Sequence, residues 1–198
     1  MKRKVAIFTG NRAEYGLQVP ILKEIIKNKN LEYFLIVSGA HLDPSFGKTV
    51  NEIKEDGFKI HETINLNSGG ENLISTANSI GKGVIEITKI LGKYKPDIFI
   101  VYADRFETFA AAIASSQTNT VTAHIEGGDI TQGGALDDNV RHAITKLSHL
   151  HFTTNEQARN RILAMGEEKW RVHTVGYPGI DLINASDFTS TTEIESKI

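Results

Sequence analysis

The stretch Thr120-Val121-Thr122-Ala123-His124-Ile125-Glu126-Gly127-Gly128-Asp129 carries an apolar run straight into a histidine, a carboxylate and two glycines. A short apolar run of this kind reads as a buried strand. The glycines behind it let the backbone turn tightly and let a ligand come close. The preceding strand candidate, Ile98–Tyr102, ends in the same manner, with Asp104-Arg105-Phe106-Glu107 just beyond it. In an open α/β sheet, ligands bind in the crevice outside the carboxyl ends of the strands. Two neighbouring strand ends that each deliver a carboxylate therefore indicate both the fold and the place where acid/base chemistry would sit.

Working outward, short apolar runs alternate with longer segments of helical period, the pattern of a parallel α/β sheet. Strands are expected at Val5–Thr9, Tyr33–Ser38, Lys59–Leu66, Ile98–Tyr102, Thr120–Ile125, His151–Thr153 and Val172–Val175. Helices are expected at Leu17–Asn28, Ser45–Glu55, Asn72–Tyr94, Phe106–Ser116, Asp137–His149 and Glu156–Met165, with Asn155 as an N-cap. The apolar face Ile80, Val84, Ile87, Leu91 of the longest helix is expected against the sheet. Beyond Gly176-Tyr177-Pro178-Gly179 the pattern weakens: Ile180–Ala185 reads as a short helix and Ser186–Ile198 as a polar tail. The expectation is a Rossmann-like, doubly wound α/β domain over residues 1–181, with 182–198 as a linker or the start of a second domain.

Composition narrows the classes. A chain of 198 residues that is 40% hydrophobic and 23% charged is long enough for one ample core. A net charge of −2 gives no basic field for nucleic acid or a membrane surface. The absence of cysteine excludes a disulfide scaffold and a zinc–thiolate site and fits a reducing cytoplasm. No apolar segment approaches the roughly 20 residues of a membrane helix. A cytoplasmic, soluble protein is expected.

Individual residues admit two readings each. In Thr9-Gly10-Asn11-Arg12-Ala13-Glu14-Tyr15-Gly16, Arg12 either clamps a diphosphate with its planar fork or is a surface arginine paired with Glu14. The stretch lacks the spaced glycines of a dinucleotide site and the lysine–hydroxyl ending of a P-loop. His41, straight after the second strand, either orients a hydroxyl or carries a proton, or is simply a packed histidine. Asp104 either does chemistry or caps the helix opening at Phe106, whereas Glu126, between His124 and two glycines, favours function. Strands lie about 4.8 Å apart, so Asp104 and Glu126 can share a cleft and split into a proton donor and a proton acceptor. Asp137 and Asp138 open a helix where acids also serve as caps, and an Asp–Arg pair with Arg141 one turn on is often structural. Ser68–Glu71 and Thr131–Leu136 read as mobile loops, the second as a lid. A metal among His124, Glu126, Asp129 and His142 lacks ligand spacing, and no metal or cofactor is expected.

Taken together, Asn11–Gly16, Ser38–Leu42, Asp104–Glu107, His124–Asp129 and Asp137–His149 resemble the hydrolysing UDP-N-acetylglucosamine 2-epimerases of sialic and legionaminic acid pathways. The resemblance runs from Val5 to about Asp181. It implies the N-terminal half of a GT-B architecture, two Rossmann-like domains with the active site between them. It also implies elimination of UDP to a 2-acetamidoglucal, followed by hydration to N-acetylmannosamine. Asp104, Glu126 and Asp137 match the family's acid/base carboxylates, Arg12 and Arg105 its diphosphate contacts, and His41, His124 and Arg141 its sugar-side positions. Glu14 stands where relatives also have an acid. The implied partners are a UDP-sugar and either a second copy in a homodimer or a missing second domain. Tyr102-Ala103 departs from the family, which usually has glycine before the aspartate and often histidine before that. Two further readings stay open: the same chemistry on a UDP-diacetamido-trideoxyhexose, and a binding or assembly module without catalysis. A nicotinamide dehydrogenase ranks last, because the glycine fingerprint is missing.

Overall fold

Seven parallel strands form one sheet in the order β3-β2-β1-β4-β5-β6-β7. They are β1 (Arg3–Thr9), β2 (Leu31–Ser38), β3 (Ile60–Ile64), β4 (Ile98–Tyr102), β5 (Thr122–Ile125), β6 (Leu150–Thr153) and β7 (Val172–Thr174). The computed structural model describes residues 2–66, 73–131 and 136–185. Each strand is paired in parallel with its neighbours, so every connection is a crossover. The helices that make them are α1 (Arg12–Lys27), α2 (Val50–Glu55), α3 (Leu73–Tyr94), α4 (Phe106–Gln117), α5 (Leu136–Leu147) and α6 (Glu156–Ala164). The chain leaves the sheet into α7 (Pro178–Ala185).

Alternation along the strands divides the core in two. Val5, Ile7, Leu35 and Val37 point toward α1 and α2, where they meet Leu22, Ile25, Ile53 and Phe58. Ala6, Phe8, Ile36, Phe99 and Val101 point the other way, onto Ile87, Leu91, Ala110, Ala111 and Ile144. Burial on both faces is what a parallel strand requires, and it accounts for the unbroken apolar runs that mark β1 and β4 in the sequence. The apolar face expected on α3 does lie in this second core, with Ile80 and Val84 partly buried at its edge. There α3 approaches α4 closely: a Cβ added to Gly83 would stand 2.8 Å from the Ala110 Cβ.

Strands β1 and β2 each begin two residues before their expected starts, and two helices differ more from expectation. Helix α1 begins at Arg12 rather than Leu17, because Asn11 in extended backbone caps it and its side chain accepts from the Glu14 N–H. The single helix expected over Ser45–Glu55 is broken: a 3-10 turn at Pro44–Phe46 ends in Gly47 at φ +80°, Lys48 follows at φ +50°, and α2 starts only at Val50. Left-handed residues cannot continue a right-handed helix. Elsewhere the strands expected at 59–66, 120–125 and 172–175 are trimmed by one or two residues at their ends, and α7 gains Pro178 and Gly179. The 68–71 loop, the start of the third helix at Asn72 and most of the 131–136 loop lie outside the described residues. Among the described residues, no helix is long and apolar enough to cross a membrane.

The order 3-2-1-4 reverses direction between β1 and β4, and that reversal opens a crevice at the carboxyl edge. The ends of β1, β2, β4 and β5 all converge on it.

Candidate active site

At the ends of β1 and β2 the backbone is packed tightly around a carboxylate from α4. Gly39 has φ +59°, and a Cβ there would stand 2.6 Å from Glu107 Oε1 and 2.8 Å from the Gly10 carbonyl oxygen. Only glycine fits. Next to it, His41 is completely buried, with Thr9 Oγ1 at 3.0 Å from Nε2 and Thr49 Oγ1 at 2.8 Å from Nδ1. Burial lowers its pKa to about 4, so the ring is neutral. As placed, His41 ties β1, β2 and the approach to α2 together, and both ring nitrogens are taken. Arg12 is largely exposed and pairs with Glu52 of α2 at 2.9 Å, rather than with Glu14.

The ends of β4 and β5 are adjacent and in register, Tyr102 opposite Ile125. The next residue on each strand, Ala103 and Glu126, adopts left-handed backbone, φ +54° and +63°. Two non-glycine residues in this region at neighbouring strand ends store strain of the kind that clusters at functional sites. His124, fully buried, helps hold the arrangement: its Nε2 lies 2.8 Å from the Ala103 carbonyl and its Nδ1 3.2 Å from Thr145 Oγ1. A carbonyl can only accept, so Nε2 carries the proton and Nδ1 accepts from the threonine hydroxyl. Burial lowers the His124 pKa to about 4, which keeps this tautomer neutral.

Asp104 does not cap α4; Arg105 occupies that position and makes no side-chain cap. Instead the Asp104 carboxylate is taken by the guanidinium of Arg141, which also reaches Asp138 at 3.2 Å. Arg141 is nearly buried, so α5 docks a positive charge at the end of β4. Asp138 in turn accepts from the Thr131 N–H at 2.8 Å, fastening the loop that leaves β5. The expected Asp–Arg pair within the helix therefore falls on Asp138. Asp137 sits in the first turn of α5 and is exposed.

Burial also acts on Glu126 at the end of β5. Its pKa is raised, first by desolvation and further by Asp129, while the Tyr102 hydroxyl opposes the shift. This corrects the expected cause. Asp104 is not among the groups that raise the Glu126 pKa; its carboxylate is paired with Arg141. The coupled carboxylates are Glu14 and Glu107. Glu14 is 5% exposed and accepts from the Gly10 N–H at 3.0 Å; Glu107 is 0% exposed, with Arg105 Nε at 3.4 Å. Burial and then the Glu107 charge raise the Glu14 pKa to about 8, and burial raises Glu107 as well. With its pKa near 8, Glu14 holds its proton at neutral pH, beside the buried carboxyl of Glu107.

Glu107 and Tyr102 were not singled out as site residues by their sequence setting. The signal for Glu107 was its place two residues after Arg105, on the first turn of a helix that starts at the crevice. Tyr102 carried only a departure from a family pattern. Asp129, grouped with metal-ligand candidates, instead accepts from Thr154 Oγ1 at 2.8 Å and Asn155 Nδ2 at 3.3 Å, and so joins the ends of β5 and β6. Among the described residues, no group of three or more His, Cys, Asp or Glu side chains is placed to hold a metal ion.

The UDP-N-acetylglucosamine 2-epimerase family model matches residues 23–198. The chain belongs to that family. It is 39% identical over 183 residues to the UDP-N,N'-diacetylbacillosamine 2-epimerase (hydrolyzing) of Legionella pneumophila, a match covering 92% of this chain and 48% of that protein. The UDP-N-acetylglucosamine 2-epimerase of Neisseria meningitidis is 33% identical over 195 residues, 98% of this chain and 50% of the other. A solved structure of the Neisseria meningitidis enzyme bound to UDP-GlcNAc superimposes with a TM-score of 0.81 at 23% identity, over 98% of this chain and 52% of that one. Another UDP-N-acetylglucosamine 2-epimerase structure gives a TM-score of 0.84 at 20% identity, over 98% and 54%. At these identities the structures speak for the fold, and they match the Rossmann-like unit expected of one half of a GT-B epimerase. The chain spans about half the length of the relatives it matches.

Proposed function

We propose that this chain carries the acid/base half of a hydrolysing UDP-sugar 2-epimerase site, at the crevice between β1, β4 and β5. The observation that carries this reading is Glu126: a carboxyl in strained backbone at a strand end, with a raised pKa, beside an Asp104 that Arg141 holds. The reaction is an elimination followed by a hydration. The C2 proton passes to a carboxylate while the C1–O bond breaks and UDP leaves, giving the 2-acetamidoglucal. Water then adds its oxygen to C1, and a proton returns to C2 from the opposite face. General acid/base groups contribute about 10²–10⁴-fold to such steps. Asp104, Glu126 and Asp137 serve as the acid/base carboxylates. Arg12 and Arg105, the cations open to solvent at this edge, meet the diphosphate, and Arg141 the sugar side. His41 and His124 support the sugar side from below, since their ring nitrogens are engaged within the protein.

The substrate follows the relatives only as a class, a UDP-linked 2-acetamido sugar. The 39% identity to a diacetylbacillosamine epimerase favours a UDP-diacetamido-trideoxyhexose as the second reading. The chain matches about half the length of these relatives, and by itself it is expected to bind a UDP-sugar weakly and turn over little. Amide shift mapping with each UDP-sugar tests this. The expected result is perturbation at Gly10, Arg12, Arg105 and Glu126–Gly128, larger for the preferred sugar. Shifts confined to the opposite edge, where Lys95–Asp97 and Thr118–Val121 line a cavity of about 370 Å³, would reject the site. Binding that survives Glu126→Gln with no product under any condition would favour the binding module.

A further inference from the structure

Tyr102 is the last residue of β4, 1% exposed, and is paired in register with Ile125 of β5, the residue just before Glu126. Among the described residues its hydroxyl has no hydrogen-bond partner of ordinary geometry, and neither has Glu126 Oε2. Two orphaned, buried polar atoms on adjacent strand ends are costly unless they serve each other or a ligand. The two groups sense one another directly across the β4–β5 boundary. The strained Ala103 between Tyr102 and Asp104 fixes where both side chains emerge.

We propose that Tyr102 is the positioning residue of Glu126, its phenol donating to the carboxylate and fixing which oxygen is presented to the substrate. The proposal rests on reading Glu126 as an acid/base group, but it concerns the pair itself and can be tested without turnover. A phenol suits the task. Burial and the neighbouring Glu126 push the Tyr102 pKa far above its ordinary value, so the proton stays on oxygen and the hydroxyl remains a donor. A hydrogen bond to the charged form of a carboxyl favours that form. Tyr102 therefore restrains the upward shift that burial imposes on Glu126, and keeps the group in a range where it can both take and return a proton. Other charges face this pair: Asp129 from the loop after β5 repels Glu126, and Glu14 of α1 and Tyr177 before α7 act on Tyr102. Among the described residues no cation acts on either group, and the phenol is the partner that favours ionised Glu126.

The test is a carboxyl-carbon NMR titration of the chain labelled with [5-¹³C]glutamate, with Glu126→Gln assigning the resonance. In Tyr102→Phe, which keeps the ring and removes only the hydroxyl, the Glu126 midpoint is expected to rise by about one unit. An unchanged midpoint would overturn the proposal. A reciprocal measurement leaves Tyr102 in place: with [ζ-¹³C]tyrosine, Glu126→Gln is expected to shift the Tyr102 resonance, and an unmoved signal would also overturn it. Either result stands apart from the epimerase reading, which shift mapping with UDP-sugars decides separately.

Discussion

Ala103 occupies backbone that favours glycine, φ +54°, and the family departure noted in the sequence becomes a structural cost here. A left-handed L-residue costs about 1–2 kcal/mol, and glycine gives part of that back through its freer unfolded chain. Ala103→Gly is therefore expected to stabilise the protein by up to about 1 kcal/mol in urea unfolding. A loss of stability would mean that the methyl packs usefully. Glu14 supplies a second residue-scale prediction. Its folded pKa of about 8 lies above its ordinary value of 4.5, so the folded protein holds the proton more tightly than the unfolded chain. The stability this contributes is complete below about pH 4.5 and is lost as pH rises through about 8, at up to about 1.4 kcal/mol per pH unit. Glu14→Gln is expected to remove that slope, so the variant gains on the wild type steadily from pH 5 to 8. Parallel stability curves would show that Glu14 does not hold the proton. The glycine-favouring site at Ala103 was legible in sequence, whereas the Glu14 behaviour was not, because burial and the proximity of Glu107 to Glu14 arise from α4 crossing the ends of β1 and β2.

At the scale of elements, most of the plan was legible. Unbroken apolar runs marked the strands because both faces of a parallel sheet are covered, and the Ile80–Leu91 stripe marked the buried side of α3. The exceptions have local causes: the Asn11 side chain caps α1 and starts it at Arg12 instead of the expected Leu17, and the left-handed Gly47-Lys48 pair interrupts an otherwise helical run. Glycines within α3 show why spacing alone misleads. Gly81 has open space around its missing Cβ, whereas Gly83 faces Ala110 at 2.8 Å and Leu66 at 3.2 Å. Gly81→Ala is expected to stabilise by about 0.5–1 kcal/mol through helix propensity. Gly83→Ala is expected to destabilise by about 1–3 kcal/mol by forcing α3 from α4. Thermal unfolding of the two variants decides it; equal effects would mean that the α3–α4 contact is slack.

For the molecule as a whole, topology turns scattered motifs into one crevice. The reversal between β1 and β4 brings together ends that are almost a hundred residues apart in the chain, as the contact between Thr108 and Glu14 illustrates. The strand-end positions of Asp104, Glu126 and His124 were readable from their runs. Their partners, Arg141 and Asp138 around Asp104 and Tyr102 beside Glu126, depend on how α5 and the strand register place them. The central claim is that this crevice performs acid/base chemistry at C2 of a UDP-linked sugar. Its most direct test is a proton NMR time course of UDP-N-acetylglucosamine in deuterated water, at high concentrations of the wild-type chain and of Glu126→Gln. The account predicts slow release of UDP with deuterium at C2 of the freed sugar, reduced by about 10² or more in Glu126→Gln. Sugar released with its original C2 proton, or at an undiminished rate from Glu126→Gln, would contradict it.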